Sequence, residues 1–179
     1  MPTPSRTARH AALGLSALAL AIAASVARPR HTVQMYDMRF ALPDHTSDSP
    51  ALAAMVRRRF PELSPVPTDS PVERAGQVLM LRFARVAPMP VTVREITASG
   101  WVFDTMRGHP AHPADIRFAI ETTHGRRWLR VSAHGVRPVL RRPPADGVLS
   151  RAARALWAEL ASAVGDALRY DVPPESTTP

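Results

Sequence analysis

The chain of 179 residues contains no cysteine and no lysine. The missing cysteine excludes a disulfide framework, a thiolate metal site and a cysteine nucleophile. Because lysine is missing, all 23 basic residues are arginine, and with 15 acidic residues they give a net charge of +8. The arginines are scattered, and aromatic residues make up only 6% of the chain, so few rings could stack on bases. We therefore expect no nucleic-acid partner.

Glycine is also scarce, with 8 residues against 19 prolines, which indicates a chain rich in loops. The hydrophobic share of 45% is that of a globular protein, and the length suits one domain. No phosphate-binding glycine loop, dinucleotide fingerprint or serine-nucleophile motif occurs in the sequence. We therefore expect no bound cofactor, and the motifs indicate no class of enzyme.

Charged residues are absent from residues 11–27, and Arg6 and Arg9 precede this apolar segment. A basic start followed by an apolar centre is typical of a signal peptide, and the segment is nearly long enough to span a bilayer. The alternative is an alanine-rich helix that packs on the fold of a cytoplasmic protein. We expect residues 1–30 to contain an N-terminal hydrophobic helix that is a signal peptide or membrane anchor, which would make the protein exported or membrane-anchored.

The rest of the chain is predicted to form a strand, a short helix, several further strands and a long helix. We predict a strand over residues 31–42, a helix that is capped by Ser49 and stops before Pro61, and strands over residues 76–86 and 91–99. Residues 148–169 have apolar side chains at helical spacing, which predicts a long amphipathic helix. Residues 171–179 are polar, and we expect a disordered tail.

The stretch from Gly100 to Pro138 is the centre of the sequence. Ile116, Phe118 and Ile120 alternate with more polar residues, and a second alternating run follows a short loop that contains Gly125. The pattern predicts a β-hairpin. Strands followed by a helix indicate the α+β class. We expect residues 31–170 to form a single domain, in which a curved antiparallel sheet packs on a long C-terminal helix in a helix-grip-like architecture.

The segment Gly100–Pro110 reads Gly-Trp-Val-Phe-Asp-Thr-Met-Arg-Gly-His-Pro. It resembles the signature of an uncharacterised bacterial and plant family known as domain of unknown function nineteen-ninety. Phe118 and Arg137-Pro138 also match that family's pattern, whereas its acidic pair is replaced by Pro113, Ala114 and Asp115. The resemblance implies a helix-grip-like domain and no established activity.

A helix-grip sheet can enclose an apolar cavity beneath its long helix. We therefore predict a non-enzymatic domain that binds an apolar or amphipathic small molecule between sheet and helix. The side chains expected to line the cavity or face its mouth are Trp101, Phe103, Arg107, His109, Phe118, Trp128 and Leu160.

Three alternatives remain open at this point. Asp104 and His109 could act as an acid–base pair of an enzyme, or His109 could only close a turn while His112 is solvated. His109 and His112 could form a metal site together with His124 and His134. The loop that carries His109 and His112 contains two prolines and does not preset the two imidazoles as a helical turn would, so we expect no metal. Arg57, Arg58 and Arg59 could contact a membrane surface.

Overall fold

The computed structural model describes residues 31–82, 88–109, 111–137 and 144–170, with only the backbone of residues 31–32, 137 and 144–150. The predicted N-terminal hydrophobic helix and the predicted C-terminal tail lie outside these ranges. Within them, no helix is both long enough and apolar enough to cross a membrane.

Six antiparallel strands form one sheet in the order β1-β6-β5-β4-β3-β2. The strands are β1 (His31–Ala41), β2 (Val78–Leu81), β3 (Met89–Thr97), β4 (Gly100–Thr105), β5 (Ala114–Thr123) and β6 (Arg126–Arg137). Two short helices, α1 (Ser49–Arg58) and α2 (Phe60–Leu63), follow β1, and the long helix α3 (Pro144–Tyr170) follows β6. The curved sheet packed on a C-terminal helix confirms the predicted fold class.

Alternation along the strands creates the core on one face of the sheet. Ile116, Phe118 and Ile120 of β5 are buried there, as are Leu129 and Val131 of β6. The predicted hairpin joins these strands through His124 and Gly125, which both have positive φ. This conformation is the one that a two-residue turn between antiparallel strands requires.

The boundaries of α1 differ from the prediction. Asp48 rather than Ser49 caps the helix, because its Oδ1 accepts a hydrogen bond from Ala51 N at 2.7 Å. The helix ends at Arg58, and Pro61 lies in the first turn of α2. A proline is compatible with a first helical turn because no intrahelical partner is needed there. Pro61 therefore lies in the first turn of α2 instead of ending α1.

Candidate ligand-binding interior

Five aromatic rings meet between the sheet and the helices. We call them the aromatic cluster, and its members are Phe60, Trp101, Phe103, Phe118 and Trp157. All of these side chains are at most 5% exposed. The cluster therefore joins α2, β4, β5 and α3.

The strand register explains the contacts between the rings. Trp101 of β4 is directly opposite Phe118 of β5, and their rings stack at 4.8 Å with an interplanar angle of 7°. Phe103 follows Trp101 on the same face, because side chains of a strand alternate with a period of two. Phe60 meets Trp101, Phe103 and Phe118 edge-on, at 5.7 Å in each case. Edge-on and stacked pairs are the favourable geometries for aromatic rings.

Three polar groups lie within this apolar interior. Trp157 Nε1 donates a hydrogen bond to the Tyr36 hydroxyl at 3.1 Å. Burial raises the pKa of Tyr36 to about 12, although the hydrogen bond from Trp157 opposes this shift. Trp101 Nε1 is buried and has no hydrogen-bond partner in the described part of the chain. Since a buried donor without a partner costs ~1–3 kcal/mol, an acceptor placed beside Trp101 would be favourable.

The structure brings together four of the seven side chains predicted for the site. Trp101, Phe103 and Phe118 belong to the aromatic cluster, and Leu160 of α3 is fully buried in the same core. Trp128 does not join them: it is half-buried on β6 between Arg127 and the fully buried Leu129. Alternation places Trp128 on the face opposite Leu129, which is the outward face of the sheet.

The other two predicted residues lie in the turn between β4 and β5. Arg107 is exposed there, and His109 is half-buried. His109 Nδ1 accepts a hydrogen bond from Ala111 N at 3.0 Å. The exposed His112 donates from Nδ1 to the carbonyl oxygen of Thr105 at 2.7 Å. Both histidines thus hold the turn, although the bond to a strand carbonyl is made by His112 and not by His109.

Asp104 is not positioned as the partner of His109. It extends from the outward face of β4, where its carboxylate accepts a hydrogen bond from Arg94 Nη1 at 3.0 Å. Within the described residues no hydrogen bond joins Asp104 to His109, so this geometry lacks the contact on which the acid–base alternative depends. The described residues also contain no group of three or more histidines and carboxylates able to hold a metal ion.

His109 makes the stability of the domain depend on pH. Burial, and less strongly the neighbouring His112, lower the pKa of His109 from 6.5 to about 4. Between these two values the unfolded chain binds a proton that the folded domain excludes, so stability should decrease as the pH falls from 6.5 to 4. We expect the free energy of unfolding of His109→Gln to fall by about 1–3 kcal/mol less than that of the wild type over this pH range. Urea unfolding at a series of pH values measures the difference. His124→Asn at the exposed hairpin is the control, and an equal change in both variants would contradict the assignment.

Three residues of the interior were not among the predicted site residues. They are Phe60 of α2, Trp157 of α3 and Tyr36 of β1. The available signal for Phe60 and Trp157 was that each is a large aromatic residue on a helix that must cover the sheet, whereas Tyr36 lies on a strand of the sheet itself. The sequence pattern does not reveal that Phe60 begins a separate helix, which turns its ring towards β4 and β5.

Two open depressions lie outside the aromatic cluster. One, of about 540 Å³, is on the outward face of β5 and β6, where it is surrounded by charged side chains. Arg130 is central there, because it donates to Asp37 at 2.6 and 2.8 Å and to Glu121 at 3.1 Å. The hydrogen bonds from Arg130 lower the pKa of Asp37. The other depression, of about 370 Å³, is a groove between β1 and α3.

No family model and no curated protein sequence matches the chain. Its fold does match solved structures. Norcoclaurine synthase from Thalictrum flavum, solved in complex with dopamine and hydroxybenzaldehyde, matches with a TM-score of 0.58 and 9% identity over 84% of this chain and 97% of its own. Ginseng major latex-like protein 151 from Panax ginseng matches with a TM-score of 0.56 and 10% identity over 79% of this chain and 99% of its own.

A third similar structure is the Aha1 dimer from Colwellia psychrerythraea, with a TM-score of 0.53 and 14% identity over 80% of this chain and 99% of that one. At such low identity these matches show the helix-grip fold alone. The resemblance to domain of unknown function nineteen-ninety stays a prediction.

Proposed function

We propose that this domain binds a small amphipathic molecule with an aromatic or otherwise apolar body, between its sheet and α3. The observation that carries the proposal is the buried, unpartnered Nε1–H of Trp101 within the aromatic cluster. A ligand oxygen would satisfy this donor, while ring faces and edges would contact the ligand's apolar body. Mostly apolar walls with a few polar groups are the usual composition of a small-molecule site.

The ligand needs room among rings that now contact one another. Phe60 is the ring most readily moved, because it belongs to α2, a helix of only four residues with no side-chain hydrogen bond at its N-terminus. Arg59 joins α2 to α1 with non-helical backbone angles of φ −95° and ψ 11°. Proteins open locally in units of this kind without unfolding the whole domain. We infer that the ligand enters as α2 shifts and Phe60 leaves its contacts with β4 and β5.

The similar folds support the same class of ligand. Norcoclaurine synthase was solved with dopamine and hydroxybenzaldehyde, which are small aromatic molecules with oxygen substituents. The aromatic cluster of this chain could stack on such a ring, and Trp101 Nε1 could donate to such an oxygen. The identity of only 9% transfers no residue role, so the proposal depends on this chain's own side chains.

The first experiment asks whether a ligand is present. Native mass spectrometry of the full-length protein purified from an expressing cell should show an additional small mass that denaturation removes. The second asks where a ligand binds, with 4-hydroxybenzaldehyde as the probe and tryptophan fluorescence as the readout. Absence of a co-purifying mass together with absence of probe binding would overturn the proposed function.

Trp101→Phe should weaken probe binding about tenfold, because it keeps an aromatic ring but removes the donor, and a hydrogen bond of ~1–1.5 kcal/mol corresponds to that factor. Trp128→Phe is the matched control, since it makes the same chemical change on the outward face of the sheet. Equal affinity of the two variants would contradict a role for Trp101 Nε1. Unfolding curves of both variants in urea establish that each is folded under the binding conditions.

A further inference from the structure

The strand β1 has one side that no other strand of the sheet covers. It is the first strand in the sheet order and pairs only with β6 among the six strands. Leu42 N donates to Arg127 O at 3.0 Å, directly continuing the β1–β6 register. Hydrogen bonds to a single neighbour involve every second residue of an antiparallel strand. The backbone N–H and C=O groups of Met38, Phe40 and Leu42 therefore point towards β6. Those of Arg39 and Ala41 point away from it.

These outward-pointing groups border the groove of about 370 Å³. Its lining residues are Arg39, Phe40, Ala41 and Pro43 on the β1 side and Ala158, Ala161, Ser162, Gly165 and Arg169 on α3. The helix side consists of small side chains except for Arg169 at its end. Gly165 approaches Pro43 so closely that an added Cβ would lie 3.3 Å from Pro43 Cδ. The groove therefore has room beside the strand edge, and α3 approaches the chain most closely where Gly165 lies beside Pro43.

The charged side chains that line the groove are both arginines, Arg39 and Arg169. Each is paired with a carboxylate, Glu121 at 3.2 Å and Asp166 at 2.7 Å. The arginine side chains are 51% and 66% accessible, whereas Glu121 is 26% and Asp166 is 56% accessible. Exposed ion pairs contribute only ~0–1 kcal/mol, so both guanidinium groups can exchange their partners for those of a ligand.

We propose that this groove, which we call the edge groove, binds an extended acidic peptide that adds a strand to β1. The peptide backbone would pair with the N–H and C=O groups of Arg39 and Ala41, and its acidic side chains would contact Arg39 and Arg169. Strand addition at an open sheet edge is a common mode of peptide recognition, in which backbone pairing gives affinity and side-chain contacts give specificity. Charge complementarity and the regular spacing of edge groups favour a peptide over a compact anion.

The test starts from short random peptides displayed on phage and selected on the full-length protein. Ala41→Pro removes the edge N–H without removing a β1–β6 hydrogen bond, because the Ala41 amide points away from β6. Ala41→Val is the matched control, since it keeps the N–H and suits a strand. We expect selected peptides to be rich in acidic and strand-forming residues, and to bind the proline variant at least about tenfold more weakly than the valine variant.

A second pair of variants tests the charge. Arg169→Glu should weaken the selected peptides severalfold, whereas Arg154→Glu, the same change at an exposed position of α3 outside the groove, should leave binding unchanged. The proposal is overturned if no peptide is enriched, or if the selected peptides bind both Ala41 variants equally. It is also overturned if sedimentation shows that Ala41→Pro instead abolishes self-association, because a second copy of the chain would then occupy the edge.

Discussion

Replacing Phe60 by alanine is expected to lower the free energy of unfolding by about 3–5 kcal/mol, the range found when a large aromatic side chain is removed from a core. Phe60 is only 1% exposed and meets three other rings of the aromatic cluster. Its removal would leave a cavity that neither β4 nor β5 can fill, since both strands are held by pairing on each side. Small domains have ~5–15 kcal/mol of stability, so the loss would be a large part of the total.

Urea unfolding of the wild type, Phe60→Ala and Phe60→Leu measures this effect. The leucine variant is the control, because it keeps most of the apolar volume and should lose considerably less stability than alanine. A loss below ~1 kcal/mol for the alanine variant would show that the ring is not part of the packed core.

The same variant also tests the proposed entry of ligand, because the space left by Phe60 should tighten the binding of 4-hydroxybenzaldehyde as long as the domain remains folded.

The contrast between the two predicted hairpin strands and β1 shows what alternation can and cannot predict. The strands β5 and β6 pair without a register shift, so the buried positions of Ile116, Phe118, Ile120, Leu129 and Val131 follow from the two-residue period. In β1 the register shifts between Gln34 and Tyr36, and this bulge leaves Met35 40% exposed while Met38 is buried. A bulge reverses which alternate residues face the core, and no residue type in this segment reveals it.

The interior site could be predicted only where side chains lie on regular strands. The inward positions of Trp101, Phe103 and Phe118 follow from the two-residue period of a strand. Alternate residues of each strand lie on the face that the helices cover. Trp128 was predicted to line the same interior, but its position in the alternation places it on the outward face of the sheet. The position of the Phe60 ring depends on a break between α1 and α2 at Arg59. Local helix propensity does not indicate this break. Long-range packing therefore decides the part of the site that sequence patterns leave open.

Gly100→Ala is expected to destabilise the domain by about 3 kcal/mol or more, because the added carbon has no space. An ideal Cβ at this position would overlap the carbonyl oxygen of Phe118 and lie 3.2 Å from Ala119 Cα. Both obstacles are backbone atoms of β5, which is paired with β4 on one side and β6 on the other. Relief therefore requires β4 and β5 to separate, and that separation would disturb the stacking of Trp101 on Phe118.

Gly125→Asn is the control that separates steric overlap from backbone conformation. Gly125 has a φ of 73° and no atom within 4 Å of an added Cβ, whereas Gly100 is not among the glycines with positive φ. Asparagine tolerates the left-handed conformation, so this variant should unfold within ~1 kcal/mol of the wild type. Thermal and urea unfolding of both variants distinguish steric overlap from backbone conformation. Similar small losses would show that β5 can move away from Gly100, and that the close approach of the two strands does not hold the aromatic cluster in place.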